Sequence, residues 1–256
     1  MTTEFVGKAK PLSQQGIDAA TARLEVGGAE IWAVLTVETS GCGFLPDRRP
    51  KILFERHIFH RETNGKFDAT AQDVSNQTGG GYGAGGAHQY ERLARAVALD
   101  RRAALRSASW GIGQVMGFNA ESVGFASVEH MVQEMAESED TQLRGMLEFV
   151  RNNGLHHAMQ QHAWRTFARG YNGSDFEQNE YDKKLDRAFT RLSTGGLPDL
   201  RVRAAQILLT YRGMDPGPVD GQIGDRTRTA LRTFQNEAGL PATGRPDDPT
   251  MAALAD

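Results

Sequence analysis

Glu38 is the residue of this chain whose type and position point most directly to chemistry. Ile31, Val34, Leu35 and Glu38 are spaced i, i+3, i+4 and i+7, so a helix would place all four on one face. The three apolar residues would be buried, and Glu38 would lie at the end of the same stripe, beside a core. Burial disfavours the charged form of a carboxyl group and raises its pKa. A carboxyl group that keeps its proton near neutral pH can act as a general acid.

The helix that carries Glu38 is expected to end directly after it. Thr39, Ser40, Gly41 and Gly43 continue a helix poorly, and Gly41 suits a left-handed C-terminal cap. The carboxyl group would then lie in the last turn and face a cleft. The alternative is a solvated glutamate at a helix end, which is the commoner situation for glutamates.

Caps, apolar spacing and turn residues predict the elements around this helix. Ser13 is expected to cap a helix that runs to Leu24, after a short polar arm at 1–12. Residues 44–67 contain two short apolar runs, KILFER and HIFHR, which we interpret as short strands or irregular segments. Residues 107–109 are expected to cap the glycine-punctuated apolar segment 109–125. Further helices are predicted at 88–105, 127–152, 154–169 and 181–192.

Two patterns that would indicate a cofactor or a metal are rejected. The segment QTGGGYGAGG at 77–86 formally contains G-x-G-x-x-G, but no strand precedes it, so we expect a loop rather than a dinucleotide site. The histidines form neither an H-E-x-x-H nor an H-x-x-E-H pattern, which weakens a zinc-amidase interpretation. The six candidate ligands among the histidines are His57, His60, His88, His156, His157 and His162. We therefore predict no cofactor and no metal.

A small second domain is predicted at the C-terminal end of the chain. Residues 193–197, STGGL, have the composition of a linker between a domain at 13–192 and a module at 198–256. In the module, the pattern G-x5-T-x3-L begins at Gly221 and recurs at Gly244. Asp225 and Asp248 are expected to cap the helices of the two repeats. With the helix at 201–211, the module would contain three helices.

Composition and charge exclude several classes of function. The 256 residues carry a net charge of -3, which predicts no nucleic-acid partner and no anionic membrane surface. No apolar run is long enough for membrane insertion. The single Cys42 and the absence of a secretory signal indicate synthesis in a reducing cytoplasm. A monomer is the simplest expectation for such a chain.

Three segments of the chain resemble the signatures of one fold. ETSG at 38–41, SWGIGQVMG at 109–117 and RGYNG at 169–173 resemble, in order and spacing, those of goose-type lysozymes and lytic transglycosylases. The segment 13–192 closely resembles the N-acetylmuramidase domain of bacteriophage endolysins. The C-terminal pattern VDGQIG…T…ALRTFQ…TG…T…L is similar to peptidoglycan-binding domain 1. The resemblance implies an α+β, predominantly helical lysozyme-like domain followed by a small three-helix domain.

The resemblance also implies a reaction and a biological setting. The reaction is hydrolysis of the β-1,4 bond between N-acetylmuramic acid and N-acetylglucosamine in peptidoglycan, with Glu38 as the general acid. The protein would accumulate in the host cytoplasm and reach the wall through a membrane lesion made by another protein. Ile112 and Gly113 replace the Leu-Met of a GLMQ-like motif. Two alternatives stay open: a lytic transglycosylase that forms 1,6-anhydro products, and a non-catalytic wall-binding protein.

A glycosidase needs a second group that stabilises the transition state or activates water. Glu55 is the first candidate and Asp47 the second, while an ion pair between Glu55 and Arg56, Arg61 or an arginine on a helix face is the structural alternative. His57 and His60 are expected to line the cleft near Glu55 and to tune it. A separation of about 5 Å between the two carboxyl groups would favour retention, and about 6.5 to 9.5 Å would favour inversion.

The resemblance assigns further residues to substrate and wall binding. Gln114, Tyr171 and Asn172 match cleft positions that hold acetamido sugars; for Asn172 a turn role before Gly173 is the alternative. Thr39 stands where the wider fold has serine. Trp110 is a candidate for stacking on a sugar ring, with a buried core position as the alternative. The wall-binding candidates at turns and helix starts of the small domain are Asp220, Gln222, Thr227 and Gln235.

Overall fold

The computed structural model describes residues 4–39 and 42–255. Within those residues, a mostly helical unit with a small sheet is followed by a separate three-helix unit. The helices of the first unit are α1 Gln14–Leu24, α2 Gly28–Thr39, α3 Arg56–Glu62, α4 His88–Leu99, α5 Arg101–Arg106, α6 Val128–Glu137, α7 Glu139–Asn152, α8 His156–Gln160, α9 Trp164–Asn172 and α10 Tyr181–Gly195. Its strands are β1 Ile52–Phe54, β2 Ala108–Trp110 and β3 Val115–Met116. The second unit contains α11 Leu200–Tyr211, α12 Asp225–Glu237 and α13 Asp248–Ala255.

Helix α2 lies in the centre of the larger unit. The predicted stripe of Ile31, Val34 and Leu35 is buried, and so are Trp32 and Ala33 on the other faces. Helices α1 and α10 pack against it. A helix that is apolar on every side belongs in the interior, so only its ends reach solvent. The predicted helix is confirmed, and its last turn carries a carboxyl group to the edge of the core.

The sheet joins two segments that are far apart in sequence. β1 pairs antiparallel with β2, and β2 pairs antiparallel with β3. The turn between β2 and β3 uses positive φ angles of 71° at Gly111 and 48° at Gln114. The expectation that residues 107–109 cap the segment 109–125 is wrong, because Ala108 and Trp110 are buried in a strand that pairs with β1.

The two apolar runs between α2 and the glycine-rich loop form different secondary structures. KILFER contains β1, as predicted, but HIFHR lies in α3. Ile58 and Phe59 are buried there, and Phe59 stacks on Phe67. A short apolar run fits a strand and a helix equally well by periodicity. Here the contacts of the buried side chains with their neighbours stabilise a helix.

Several predicted long helices are divided by polar caps. Asp100 ends α4 and caps α5, because its side chain accepts a hydrogen bond from the Ala103 amide. Ser138 separates α6 from α7 and accepts a hydrogen bond from the Thr141 amide. Short polar side chains compete with the helical ladder in this way. The predicted helix at 154–169 is also two helices, α8 and α9, but without a polar cap between them, since Ala163 holds the N-cap position of α9. No helix of the described ranges is long and apolar enough to cross a membrane.

Residues 4–12 pack onto the larger unit instead of forming a polar arm. Ala9 and Leu12 are buried, and the Ala9 amide donates to the Ala136 carbonyl over 3.0 Å. Ser13 then caps α1, as predicted, by accepting a hydrogen bond from the Gly16 amide. The segment is held because its apolar residues and backbone groups both find partners.

The connection between the two units is shorter than predicted. Helix α10 continues to Gly195, so the first three residues of the predicted 193–197 linker are helical. Only residues 196–199 separate α10 from α11. The small unit has its own core around Leu209, Leu231 and Phe234. It also contacts the larger unit, since the Tyr211 hydroxyl donates to the Ala9 carbonyl over 3.1 Å.

The repeat in the small unit is built around a buried glutamine. Gln206 accepts a hydrogen bond from the Gly221 amide over 3.0 Å and donates to the Thr227 hydroxyl over 3.2 Å. The second repeat has the same arrangement, with distances of 2.9 and 2.8 Å. Its members are Gln235, Gly244 and Thr250. Each glutamine therefore ties a glycine turn to the helix that follows.

The two predicted aspartate caps of this unit are wrong. Gly224 holds the N-cap position of α12, and Asp225 is the first helical residue. In the second repeat, Asp247 accepts a hydrogen bond from the Thr250 amide over 3.1 Å, whereas Asp248 pairs with Arg201. The cap therefore lies one residue earlier in each repeat.

Candidate active site

Glu38 lies in the last turn of α2 and is mostly buried. Its Oε1 accepts a hydrogen bond from the Asn172 side-chain amide over 3.0 Å. Burial raises the pKa of Glu38 to about 7, and the hydrogen bond from Asn172 partly opposes this rise. A large fraction of the carboxyl group is therefore protonated at neutral pH. Ser40 and Gly41, including the predicted cap at Gly41, lie outside the described residues.

An open cavity lies beside this carboxyl group. Part of its wall comes from α2 and part from the segment that leads into β1. The glycine-rich loop contributes Gly86, and the turn before β3 contributes Gln114. The lining residues are Glu38, Thr39, Leu45, Lys51, Ile52, Leu53, Gly86 and Gln114. The structure thus brings together two of the three predicted signature segments at one cavity, at Glu38 and at Gln114.

The third signature segment closes on the same region from α9. The Tyr171 hydroxyl donates to the Gly113 carbonyl over 2.5 Å, and Asn172 donates to Glu38. The pKa of Tyr171 lies well above its ordinary value because of burial and because of the Glu38 carboxylate nearby. The Asn172 Oδ1 is buried and has no hydrogen-bond partner within the described residues. A buried carbonyl oxygen of this kind can accept an N–H group from a ligand.

Gln114 holds the turn before β3 as well as lining the cavity. Its Oε1 accepts a hydrogen bond from the Ser109 hydroxyl over 2.9 Å. Its Nε2 donates to the carbonyls of Gly111 and Lys51, over 2.8 and 3.3 Å. Both ends of the amide are therefore engaged within the protein, and the side chain fixes the cavity wall.

Glu55 follows β1 and occupies the N-cap position of α3 without forming a side-chain cap. Lys51 and Leu53, four and two residues before it, line the cavity beside Glu38, whereas Glu55 itself is not among the lining residues. Burial raises the pKa of Glu55, and His57 and the Tyr82 hydroxyl oppose the rise.

The contacts of Glu55 differ from the predicted ion pair with an arginine. The Tyr82 hydroxyl donates to Glu55 Oε1 over 3.3 Å. His57 Nδ1 lies 3.2 Å from Glu55 Oε2, close enough for an ion pair but without hydrogen-bond geometry. Arg56 instead donates to backbone carbonyls of the glycine-rich loop. Asp47, the second candidate, is exposed and pairs with Arg49 over 2.6 Å.

Two predicted substrate-binding residues are corrected by their burial. Trp110 is 0% exposed, and its indole N–H donates to the Leu105 carbonyl over 3.1 Å, so its ring cannot stack on a sugar. The Thr39 hydroxyl donates to the carbonyls of Leu35 and Ile112, over 3.3 and 3.1 Å. The hydroxyl therefore joins α2 to the hairpin, although Thr39 also lines the cavity.

The four predicted wall-binding residues divide into two groups. Thr227 and Gln235 are buried and hold the two repeats together, which corrects their prediction as wall-contact residues. Asp220 and Gln222 are exposed at the turn between α11 and α12. The Asp220 carboxylate accepts a hydrogen bond from the Gln222 amide over 2.9 Å, while the Gln222 side chain extends into solvent.

Two buried polar residues of α7 support the site and were missed by the sequence analysis. Glu139 accepts a hydrogen bond from the Gly43 amide, and Gln142 accepts one from the Ile112 amide, each over 2.8 Å. They lie on the buried stripe of α7 with Leu143 and Met146. Polar residues on an apolar stripe are the signal that could have revealed them, because buried polar groups need partners.

Comparisons with known proteins agree with this geometry. Residues 28–193 match the family described as N-acetylmuramidase, and residues 199–254 match the family described as a putative peptidoglycan-binding domain. The crystal structure of a Burkholderia AP3 phage endolysin is similar, with a TM-score of 0.67 and 39% identity over 73% of this chain and 72% of that chain.

A curated relative gives a much shorter match. It is the putative OxPP cycle protein OpcA of Synechococcus elongatus, 45% identical over 49 residues. The match covers 19% of this chain and 11% of that protein. The first family match spans well over half of the chain and includes Glu38, Gln114 and Asn172. The chain therefore belongs to the N-acetylmuramidase family of peptidoglycan glycoside hydrolases.

Proposed function

We propose that this chain is a phage-type endolysin that hydrolyses the β-1,4 bond between N-acetylmuramic acid and N-acetylglucosamine and so lyses the host cell. The single observation that carries the proposal is the Glu38 carboxyl group. It lies beside an open cavity in a muramidase-family domain, and burial raises its pKa to about 7. The similarity to the AP3 phage endolysin supports the phage setting.

In the proposed reaction Glu38 donates its proton to the glycosidic oxygen as the bond to the sugar C1 breaks. Proton donation by a positioned acid contributes about 10²- to 10⁴-fold to the rate. The sugar ring then carries oxocarbenium-like positive charge, which a second carboxylate stabilises directly or through an activated water. We assign this role to Glu55, because its partly buried carboxyl group follows two residues after the cavity-lining Leu53 and forms no ion pair with an arginine of the described residues. Water completes the hydrolysis at C1.

The amide and phenol groups of α9 are proposed to orient the sugar and the acid. Asn172 holds one oxygen of Glu38 and leaves its own Oδ1 free to accept the N–H of an acetamido group. Tyr171 fixes the turn between β2 and β3 by donating to the Gly113 carbonyl, and Gln114 fixes the same turn by donating to the Gly111 carbonyl. His57 sets the charge around Glu55.

The C-terminal domain is proposed to bind peptidoglycan and to keep the catalytic domain at the wall. We place the domain boundary at residues 196–199, between α10 and α11. Asp220 and Gln222, the exposed pair at the turn before α12, are the proposed contact residues. We further propose a monomer that accumulates in the host cytoplasm and reaches the wall through a lesion made by a separate protein.

Mass spectrometry of the soluble fragments after digestion of purified peptidoglycan tests the proposal. Reducing N-acetylmuramic acid ends are the expected product. Anhydro ends would assign the protein to the lytic transglycosylases, and intact glycan would leave wall binding alone.

Glu38→Gln removes the acidic proton at nearly constant size and is expected to abolish cleavage while wall binding persists. Glu237→Gln, at an exposed position of α12, is the matched control and should cleave at the wild-type rate.

A further inference from the structure

Arg203 belongs to α11 of the C-terminal domain but is buried against the catalytic domain. It is 0% exposed, and its guanidinium group donates to both carboxylate oxygens of Glu139, over 2.6 and 2.8 Å. Glu139 is the first residue of α7 and is also 0% exposed. The two-pronged geometry is the strongest form of an arginine–carboxylate contact. A domain that served only as a flexible anchor would not need such a contact.

Glu139 also forms a hydrogen bond with the segment that follows the catalytic helix. Its Oε1 accepts a hydrogen bond from the Gly43 amide over 2.8 Å. The Gly43 carbonyl accepts one from the Lys51 amide over 2.7 Å, and Lys51 Nζ donates to the Thr39 carbonyl over 3.0 Å. Gly43 is tightly enclosed, since an added Cβ would lie 1.9 Å from Gln142 Oε1. Hydrogen bonds therefore hold both the Thr39 carbonyl at the end of α2 and Gly43.

The same guanidinium group also contacts α2 itself. Its central carbon lies 5.4 Å from the centre of the Trp32 ring, which is within the range of a cation–π contact. Trp32 is buried in the helix that carries Glu38. One side chain of the small domain thus touches the catalytic helix and, through Glu139, the segment that leaves it.

We propose that Arg203 is a positioning residue for the muramidase reaction, fixing the end of α2 and therefore the Glu38 carboxyl group. The inference rests on the proposed function, in which Glu38 is the general acid. Burying an ion pair contributes little net stability, because desolvation offsets the attraction. Its effect here is geometric: the end of α2 at Thr39 and the backbone at Gly43 are held in one arrangement. The C-terminal domain is consequently part of the catalytic apparatus as well as an anchor.

The test separates positioning from anchoring by using a substrate that needs no anchor. Full-length variants are assayed on soluble glycan strands that have been freed of their peptides, and wall binding is measured separately on purified peptidoglycan. Arg203→Met is expected to lower kcat by about 10- to 100-fold, the scale on which small displacements of a catalytic group act. Arg203→Lys keeps the charge but not the two-pronged contact. Its kcat should therefore lie between those of the wild type and Arg203→Met. Tyr211→Phe, which removes only the interdomain bond to Ala9, is the matched control and should stay within about twofold.

The pH profile distinguishes displacement of Glu38 from simple loss of folded protein. A displaced carboxyl group changes its burial, so the alkaline limb of kcat/KM should move in Arg203→Met and not in Tyr211→Phe. Unchanged kcat and an unchanged profile in both Arg203 variants would overturn the inference. If Arg203→Met does not fold, Arg203→Lys decides alone by the same two readouts. A wild-type chain that leaves the strands intact would instead overturn the proposed function, and the inference with it.

Discussion

At the scale of single residues, the chemistry depends on the surroundings of one carboxyl group. Glu38 is taken out of water by the core at the end of α2, and the only side chain shown to donate to it within the described residues is Asn172. Burial favours the neutral acid and Asn172 favours the carboxylate. The balance leaves an acid with a pKa of about 7. That value suits an acid that must hold a proton at neutral pH and then release it.

The pH dependence of kcat/KM follows from this value. The acid must be protonated to act, so activity is expected to fall as pH rises through about 7 and to decrease about tenfold for each further pH unit. The measurement is kcat/KM on soluble glycan strands between pH 5 and pH 9. A rate that stays flat from pH 6 to pH 9 would contradict the role of Glu38.

Asn172→Ala is expected to move the alkaline limb of the kcat/KM profile to higher pH. The variant removes the hydrogen bond that stabilises the Glu38 carboxylate, so the pKa of Glu38 rises further. The maximal rate should also fall, because the carboxyl group loses its fixed orientation. Asn153→Ala, at an exposed position after α7, is the control, and the alkaline limb of its profile should not shift. A limb that moves to lower pH in Asn172→Ala would show that the amide does not hold the charged form.

At the scale of elements, the first turn of α7 supports two walls of the cavity. Glu139 holds the segment after α2, and Gln142 holds the turn between β2 and β3. The two residues are three positions apart and so share one face of the helix. A single helix end therefore sets the distance between two segments that are about 70 residues apart in sequence.

Gln142→Leu tests this support. The variant leaves the Ile112 amide and the Met135 carbonyl buried without partners, and each such group costs about 1–3 kcal/mol. The free energy of unfolding, measured with urea, should fall accordingly. Gln133→Leu, on the exposed side of α6, is the matched control with little change. A Gln142→Leu protein as stable as the control would mean that water replaces the lost hydrogen bonds.

The glycine-rich loop at 77–86 is held by long polar side chains. Arg56 donates to the Thr78 and Gly79 carbonyls, and Arg92 and Gln89 both donate to the Tyr82 carbonyl. The loop contains no helix or strand, as predicted, but it is tied down beside Glu55 and the cavity. These side chains satisfy carbonyls that would otherwise need water.

At the scale of the whole molecule, the two domains share buried contacts and should unfold together. Undocking would remove Arg203 from Glu139, and a carboxylate that stays buried without its partner charge is strongly destabilising. All three tryptophans, Trp32, Trp110 and Trp164, lie in the larger domain, so fluorescence reports that domain together with the contact between Trp32 and Arg203. Far-UV circular dichroism reports the helices of both. Coincident urea midpoints from the two probes are expected. Separate midpoints would show that the domains fold independently.

The sequence alone determined the features that are encoded locally. The apolar spacing around Glu38 predicted α2, and Ser13 predicted the start of α1, because both signals act within a few residues. The repeat that begins at Gly221 and Gly244 predicted two similar turn-and-helix units. The motif order indicated the family, and the matches to the chain confirmed it.

Only the tertiary structure decided the features that depend on distant partners. HIFHR became a helix and the segment around Trp110 became a strand, because short apolar runs take the form that their neighbours allow. The helix breaks at Asp100 and Ser138 depended on the fold, because the fold determines which of the many polar side chains cap the N-terminus of a helix. The contact between Glu139 and Arg203 joins residues 64 positions apart. No local pattern encodes such a pair, since its value arises only when folding removes both charges from water.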